Sequence, residues 1–194
     1  MPRTGLSPEE IRAKAIGIAL DRMRLVGADK LRLTDVAKAL DLSHAALYPH
    51  FASKAELFDA AVQSWLQGTE VRLAEVAAGP GPARDRIMDW FDALYRHKRD
   101  RVLSDPELYR AFNTAMTRET PSALNHVRTL RRQLETLVDE AGIAEDPAWA
   151  AGLLFEATAA FHHPSLISHD IETDRAARMA AILGAMLAGL SAGA

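Results

Sequence analysis

Between Leu33 and Leu57 the order of residue types leaves few backbones available. A short apolar-periodic segment, Val36, Ala37 and Leu40, is followed by Asp41-Leu42-Ser43. A second short segment through Leu47 comes next, and then Ser53-Lys54-Ala55-Glu56. Ser43 is an N-cap type, and Ser53 with Glu56 has capping-box spacing. The stretch therefore predicts two short helices joined by a tight turn, followed directly by the start of a third. Two short helices can cross steeply only if a small residue sits at the crossing and apolar residues fill the wedge. Ala37 supplies the first, and Val36, Leu40, Leu42 and Leu47 supply the second. Thr34 and Ser43 are the expected N-caps.

The same start and stop signals recur along the chain. Ser7-Pro8-Glu9-Glu10 is a capping box with proline at the first helical position, and Gly27 can end that helix. A long helix is expected from Lys54 to the linker Gly79-Pro80-Gly81-Pro82. Further helices are expected from Ala83 to about Lys98, from Asp105-Pro106, from Thr120-Pro121 to about Gly142, from Asp146-Pro147 to about His162, and from Glu172 to Leu190. No alternating pattern competes with these. The chain reads as all-α with about nine helices.

Composition closes off several classes. The chain has 194 residues, of which 48% are hydrophobic and 25% charged, and it has no cysteine. A disulfide framework or thiolate metal site is excluded. No apolar run is long enough for a membrane span, and Met1 to Leu6 lacks the apolar core of a signal peptide, so a cytoplasmic protein is expected. The net charge is −3, but it is unevenly spread. Residues 1–66 hold nine Lys/Arg against eight Asp/Glu, and the remainder hold fourteen against eighteen. Arg3, Lys30, Arg32, Lys38 and Lys54 cluster around the two short helices. A local basic surface matters more for nucleic acid than the total charge does. No Gly-rich phosphate loop, HExxH or Ser-His-Asp spacing supports an enzyme, and no cofactor is expected.

A helix-turn-helix places its second helix in the major groove while the first braces it across the backbone. Here the second helix would present His44, Ala45, Ala46, Tyr48 and His50. The stretch resembles the TetR family of bacterial repressors. The matching residues are Thr34, Val36-Ala37-Lys38 and Leu40, then Leu42-Ser43, Leu47-Tyr48, His50-Phe51, Ser53-Lys54 and Leu57. Two positions depart from the common pattern. Asp41 stands where glycine is very frequent, and Pro49 lies within the second helix.

The resemblance implies a DNA-binding domain at residues 1–52 and a helical effector-binding and dimerisation domain at 53–194. It implies a ligand-responsive repressor that binds a palindromic double-stranded operator as a homodimer through its last two helices. A small-molecule effector would release it. Thr34, Tyr48 and Lys54 are the expected phosphate contacts, and His44, Ala45 and Ala46 the expected base contacts. Candidate effector-pocket residues are Trp65, Trp90, Phe91, Tyr95, Tyr109, Phe112, Asn113, Met116, Phe155, Thr158 and His162. No strongly acidic or basic cluster stands out among them, which favours a neutral or weakly polar, partly aromatic or hydrophobic effector. His162, His163, His169 and Asp170 offer metal-type ligands, but Pro164 interrupts their helical spacing, and no metal is expected. The competing reading is a helical adaptor whose motif has lost DNA.

Overall fold

The computed structural model describes residues 5–193, so Arg3 lies outside the described residues. Within them the chain is helical without a strand. The helices are α1 (Pro8–Val26), α2 (Leu33–Ala39), α3 (His44–Leu47), α4 (Lys54–Ala77), α5 (Ala83–Ser104), α6 (Pro106–Thr117), α7 (Pro121–Ala141), α8 (Pro147–Ala157), α9 (Ala159–His162), α10 (Pro164–Ile167) and α11 (Ala176–Gly193). Two single 3-10 turns, Ala28–Lys30 and Ser168–Asp170, connect them. No helix among the described residues is long and apolar enough to cross a membrane.

Eleven helices stand where the sequence spacing suggests about nine, and the difference arises at Thr158 and Pro164. The hydroxyl of Thr158 donates back to the carbonyl of Leu154 at 2.8 Å. Such back-bonding competes with the helical ladder and bends it. The segment from Pro147 accordingly breaks into α8 and α9. Pro164 then opens the extra turn α10, with the His163 side chain accepting from the Ser165 N–H. The last helix begins at Ala176 rather than Glu172, and α5 continues past Lys98 to Ser104.

The chain packs as two compact units. One comprises residues 1–66 and 105–124, and the other 67–104 and 125–194. In the first, α1 packs against α2 and α6, and α2 against α3. Ile11, Ala15, Ala19 and Met23 recur every fourth residue along α1 and are buried. Leu31, Val36, Leu47, Phe51, Leu57 and Leu66 of the same unit are buried as well. The capping box at Ser7 is formed, and the Gly27 N–H closes α1 on the Met23 carbonyl at φ +83°. Arg24 ties the end of α1 to Asp105 ahead of α6, at 3.0 Å.

In the second unit α5 packs against α9 and α11, and α8 against α9 and α11. The α5 stripe Ile87, Trp90, Phe91, Leu94 and Tyr95 is buried at helical spacing. Asp146 caps α8 by accepting the Trp149 N–H at 2.9 Å.

Candidate nucleic-acid interface

The turn between α2 and α3 is built by Asp41. Its φ of +55° lies in the left-handed region, which Asp tolerates better than most residues. The Leu42 N–H bonds to the Ala37 carbonyl at 2.9 Å, and the Asp41 N–H to the Lys38 carbonyl at 3.2 Å. This is a Schellman stop. It turns the chain sharply enough for Ser43 to begin α3, whose hydroxyl accepts the Ala46 N–H at 3.1 Å. Ala37 and Leu47 are both 1% exposed at the α2–α3 crossing.

One expected cap moves. Arg32, not Thr34, is the N-cap of α2, and Thr34 lies exposed in the first helical turn. The segment before it is already extended at Arg32, so the helix can start at Leu33 with no side-chain cap. Thr34 thereby keeps its hydroxyl clear of a capping bond.

The helix α3 is only one turn long. The Phe51 N–H and His50 N–H both reach the Leu47 carbonyl, so Tyr48-Pro49-His50 forms a tight turn rather than more helix. Pro49 has no N–H to continue the ladder, which accounts for the stop. His44 and Tyr48 remain exposed with ring centroids 4.8 Å apart. Ala45 is exposed and Ala46 half-buried. Lys30, Arg32 and Lys38 are exposed too.

Two contacts fix this face onto the helices behind it. The Lys54 ammonium, at the first residue of α4, donates to the Asp29 carbonyl at 2.6 Å. Arg12 of α1 has no counterpart among the residues that the sequence singles out. Its guanidinium lies over the Phe51 ring and donates to the His50 carbonyl, with Glu56 at 3.5 Å. Glu56 in turn accepts the Ala52 N–H at 2.8 Å, while its own N–H bonds to Ser53 Oγ. Arg12 lies 38 residues from His50, so no local spacing announces it.

The effector candidates fall into both packing units. In the first, Trp65, Tyr109 and Phe112 form a ring cluster with centroids 5.8 to 6.2 Å apart. Tyr109 is buried, and its Oη has no hydrogen-bond partner among the described residues. Burial pushes its phenol above the usual range. Asn113 and Met116, both half-buried, follow on α6.

In the second unit, several polar handles are engaged internally. Trp90 donates to Gln133 at 3.1 Å. Tyr95 Oη accepts the Arg175 N–H at 2.8 Å. Thr158 bonds to Leu154, and His162 Nε2 meets the Phe155 carbonyl at 2.9 Å. Phe91 packs on Trp90, and Phe155 on His162. Among the described residues no group of three or more His, Asp or Glu side chains is gathered as a metal-ligand set.

The chain matches two family models. One, the bacterial regulatory proteins of the tetR family, covers residues 19–61. The other, a tetracyclin repressor-like C-terminal domain, covers residues 83–183. Comparison with curated proteins gave no match. Among solved structures, a tetR-family transcriptional regulator from Streptomyces coelicolor is 22% identical, with a TM-score of 0.63 over 97% of this chain and 84% of that one. A regulator of the TetR/AcrR family from Thermobifida fusca YX-ER1 is also 22% identical, with a TM-score of 0.65 over 92% and 97%. RolR in complex with resorcinol is 20% identical, with a TM-score of 0.57 over 95% and 93%. At these identities the structural matches speak for the fold alone. Together, the matched models span the helix-turn-helix and most of the helices beyond it, and the chain belongs to the TetR family of bacterial transcriptional regulators.

Proposed function

We propose that this regulator is a repressor that binds a palindromic operator as a homodimer in the cytoplasm and leaves it when a small molecule binds. The observation that carries the reading is the exposed face of α2 and α3. Thr34, Lys38, His44, Ala45 and Tyr48 point to solvent, while Val36, Ala37 and Leu47 hold that face from behind. Thr34, Tyr48 and Lys54 serve phosphates, which position the protein. His44, Ala45 and Ala46 meet base edges, with alanine suited to a thymine methyl.

Two half-sites on successive turns lie about 34 Å apart, so a second recognition helix is required. Helices α8 and α11 offer the surface for a second copy. Trp149 is 59% exposed there, with Leu153 and Ile182 also uncovered and small residues such as Ala177, Ala181 and Gly184 between. A large exposed indole beside aliphatic side chains is the composition of an interface core. In this division of labour residues 1–52 bind DNA, and residues 53–194 dimerise and take the effector. Helix α4, continuous from Lys54 to Ala77, is the lever. An effector acts only if it binds the released arrangement more tightly than the DNA-bound one. The precedent for a small ligand is RolR, which was solved with resorcinol.

Sedimentation of the full chain, alone and with Leu153→Arg, tests the assembly. A dimer that becomes a monomer on substitution and loses operator binding supports the reading. A wild-type monomer that binds DNA fully contradicts it.

A further inference from the structure

The packing unit that carries the helix-turn-helix also holds a cavity behind its outer face. The turn Ala28–Lys30, the first turns of α4 and the end of α6 enclose it, and all three belong to that unit. Its volume is about 320 Å³, at the lower end of the range for small-molecule pockets. Ala28, Ala55 and Phe58 give it an apolar lining, and Phe58 is 7% exposed.

The charges around this cavity are unbalanced. Lys54 and Arg118 line it against Asp29 alone. The Lys54 ammonium gives one N–H to the Asp29 main-chain carbonyl at 2.6 Å and has others to give. Arg118, just past the end of α6, is exposed, and its guanidinium has no hydrogen-bond or ion-pair partner among the described residues. A neighbouring cavity of about 480 Å³ shares Ala28, Asp29 and Thr114 and supplies the contrast. There Lys30 and Arg110 are matched by Asp29 and Glu107, and Glu107 pairs with Arg110 at 2.8 Å. The excess positive charge is confined to the cavity of Lys54 and Arg118.

These features select an occupant together. A single negative charge meets both cations, whereas a second would find no further cation and would sit against the Asp29 carboxylate. An aromatic body gains from burial on the alanines and from packing against the Phe58 ring. Inorganic phosphate has the charge without the body, and a neutral ring has the body without the charge.

We propose that this cavity binds an aromatic monocarboxylate, its carboxylate held by Lys54 and Arg118 and its ring against Phe58, and that the bound acid competes with DNA for Lys54. The competition rests on the reading that Lys54 serves a phosphate; the site does not. Such release acts within the DNA-binding unit and is separate from any effector taken by the helices beyond it.

The probes are 2-naphthoate and its amide, 2-naphthamide, titrated calorimetrically into the full chain at pH 7 without DNA. The acid is expected to bind about five-fold or more tightly than the amide, the worth of two exposed ion pairs. Arg118→Gln should cut that preference to about two-fold. Ala55→Met, which fills the cavity, should weaken both compounds. Both substitutions fall at exposed positions, and circular dichroism checks that each variant folds. No binding of the acid, equal affinity for acid and amide, or binding unchanged in both variants overturns the site. A second arm follows the anisotropy of a labelled duplex at low salt and constant ionic strength. Weaker DNA binding with the acid than with the amide, lost in Ala55→Met, supports the competition. An acid that binds as described but leaves DNA affinity unchanged overturns the competition and counts against Lys54 as a phosphate contact, while the site stands. A chain that binds no DNA even without the acid overturns the competition through that same reading, and the calorimetry still decides the site.

Discussion

The guanidinium carbon of Arg12 sits 4.4 Å from the centre of the Phe51 ring, on the side where the recognition segment turns back toward α4. From the same position Arg12 donates to the His50 carbonyl and faces Glu56. One side chain of α1 therefore fixes the end of the Tyr48-Pro49-His50 turn, and with it the aim of Tyr48. Arg12→Met keeps the stem but removes the cation and its donors. A loss of about 1–3 kcal/mol in stability is expected, along with weaker operator binding. Urea unfolding and anisotropy with labelled DNA measure both. Unchanged affinity would mean that the turn holds its shape without the clamp.

Asp41 sets up an opposite expectation. At φ +55° a residue with a Cβ is strained, and glycine is not. Asp41→Gly should leave the Schellman bonds intact and raise stability by up to about 1 kcal/mol, while Asp41→Val should lower it by more than that. The midpoint of urea unfolding decides. A destabilised glycine variant would show that the Asp41 side chain itself holds the turn.

The proposed contacts divide by kind. Tyr48→Phe and Lys54→Ala should weaken binding to all sequences alike, and Lys54→Ala, which removes a cation, should also lower the salt dependence by about one phosphate. His44→Ala should alter sequence preference instead. Lys54 has a second duty, since its ammonium also holds the Asp29 carbonyl. Lys54→Ala should therefore lower the melting temperature too, whereas Tyr48→Phe, at an exposed ring, should not. Binding measured across a series of salt concentrations and on scrambled operators separates the two classes.

The legible parts of this fold are the local ones. Ser7, Ser43, Ser53 and Asp146 cap the helices their neighbours announce, because a cap is a contact within a few residues. Asp41 and Pro49 mark the ends of α2 and α3 for the same reason. The hydroxyl of Thr158 misleads, since threonine inside an apolar run can as well continue a helix as bend it. Arg12 and Lys98 are illegible for a different reason. Each sits among charged neighbours in the sequence, at Arg12-Ala13-Lys14 and His97-Lys98-Arg99. Only the helix phase in three dimensions shows that one faces Phe51 and the other the core.

Acid should unfold this protein through its buried histidines. His126 and His162 hold values of about 4 and about 3, below the ordinary 6.5, because burial disfavours their charged form. The unfolded chain therefore takes up protons first as pH falls. Their contribution is fully present above pH 6.5 and is lost progressively below it, down to about pH 3. A tenfold difference in proton affinity between the folded and unfolded chain is worth about 1.4 kcal/mol, so these two residues should steepen the acid limb. His162→Gln, which can still donate to the Phe155 carbonyl, should flatten the fall between pH 6.5 and about 4. Unfolding free energies across that range provide the check, and an identical slope in the variant would remove His162 from the account.

The central claim is that the face built by α2, α3 and the start of α4 holds DNA. It is tested most directly by a gel shift of the full chain with the DNA upstream of its own gene, at low salt where phosphate contacts are strongest. A discrete shift that disappears in the Tyr48→Phe, Lys54→Ala double variant is expected. No shift by the wild type, or full affinity in that double variant, would contradict the claim and favour a helical adaptor.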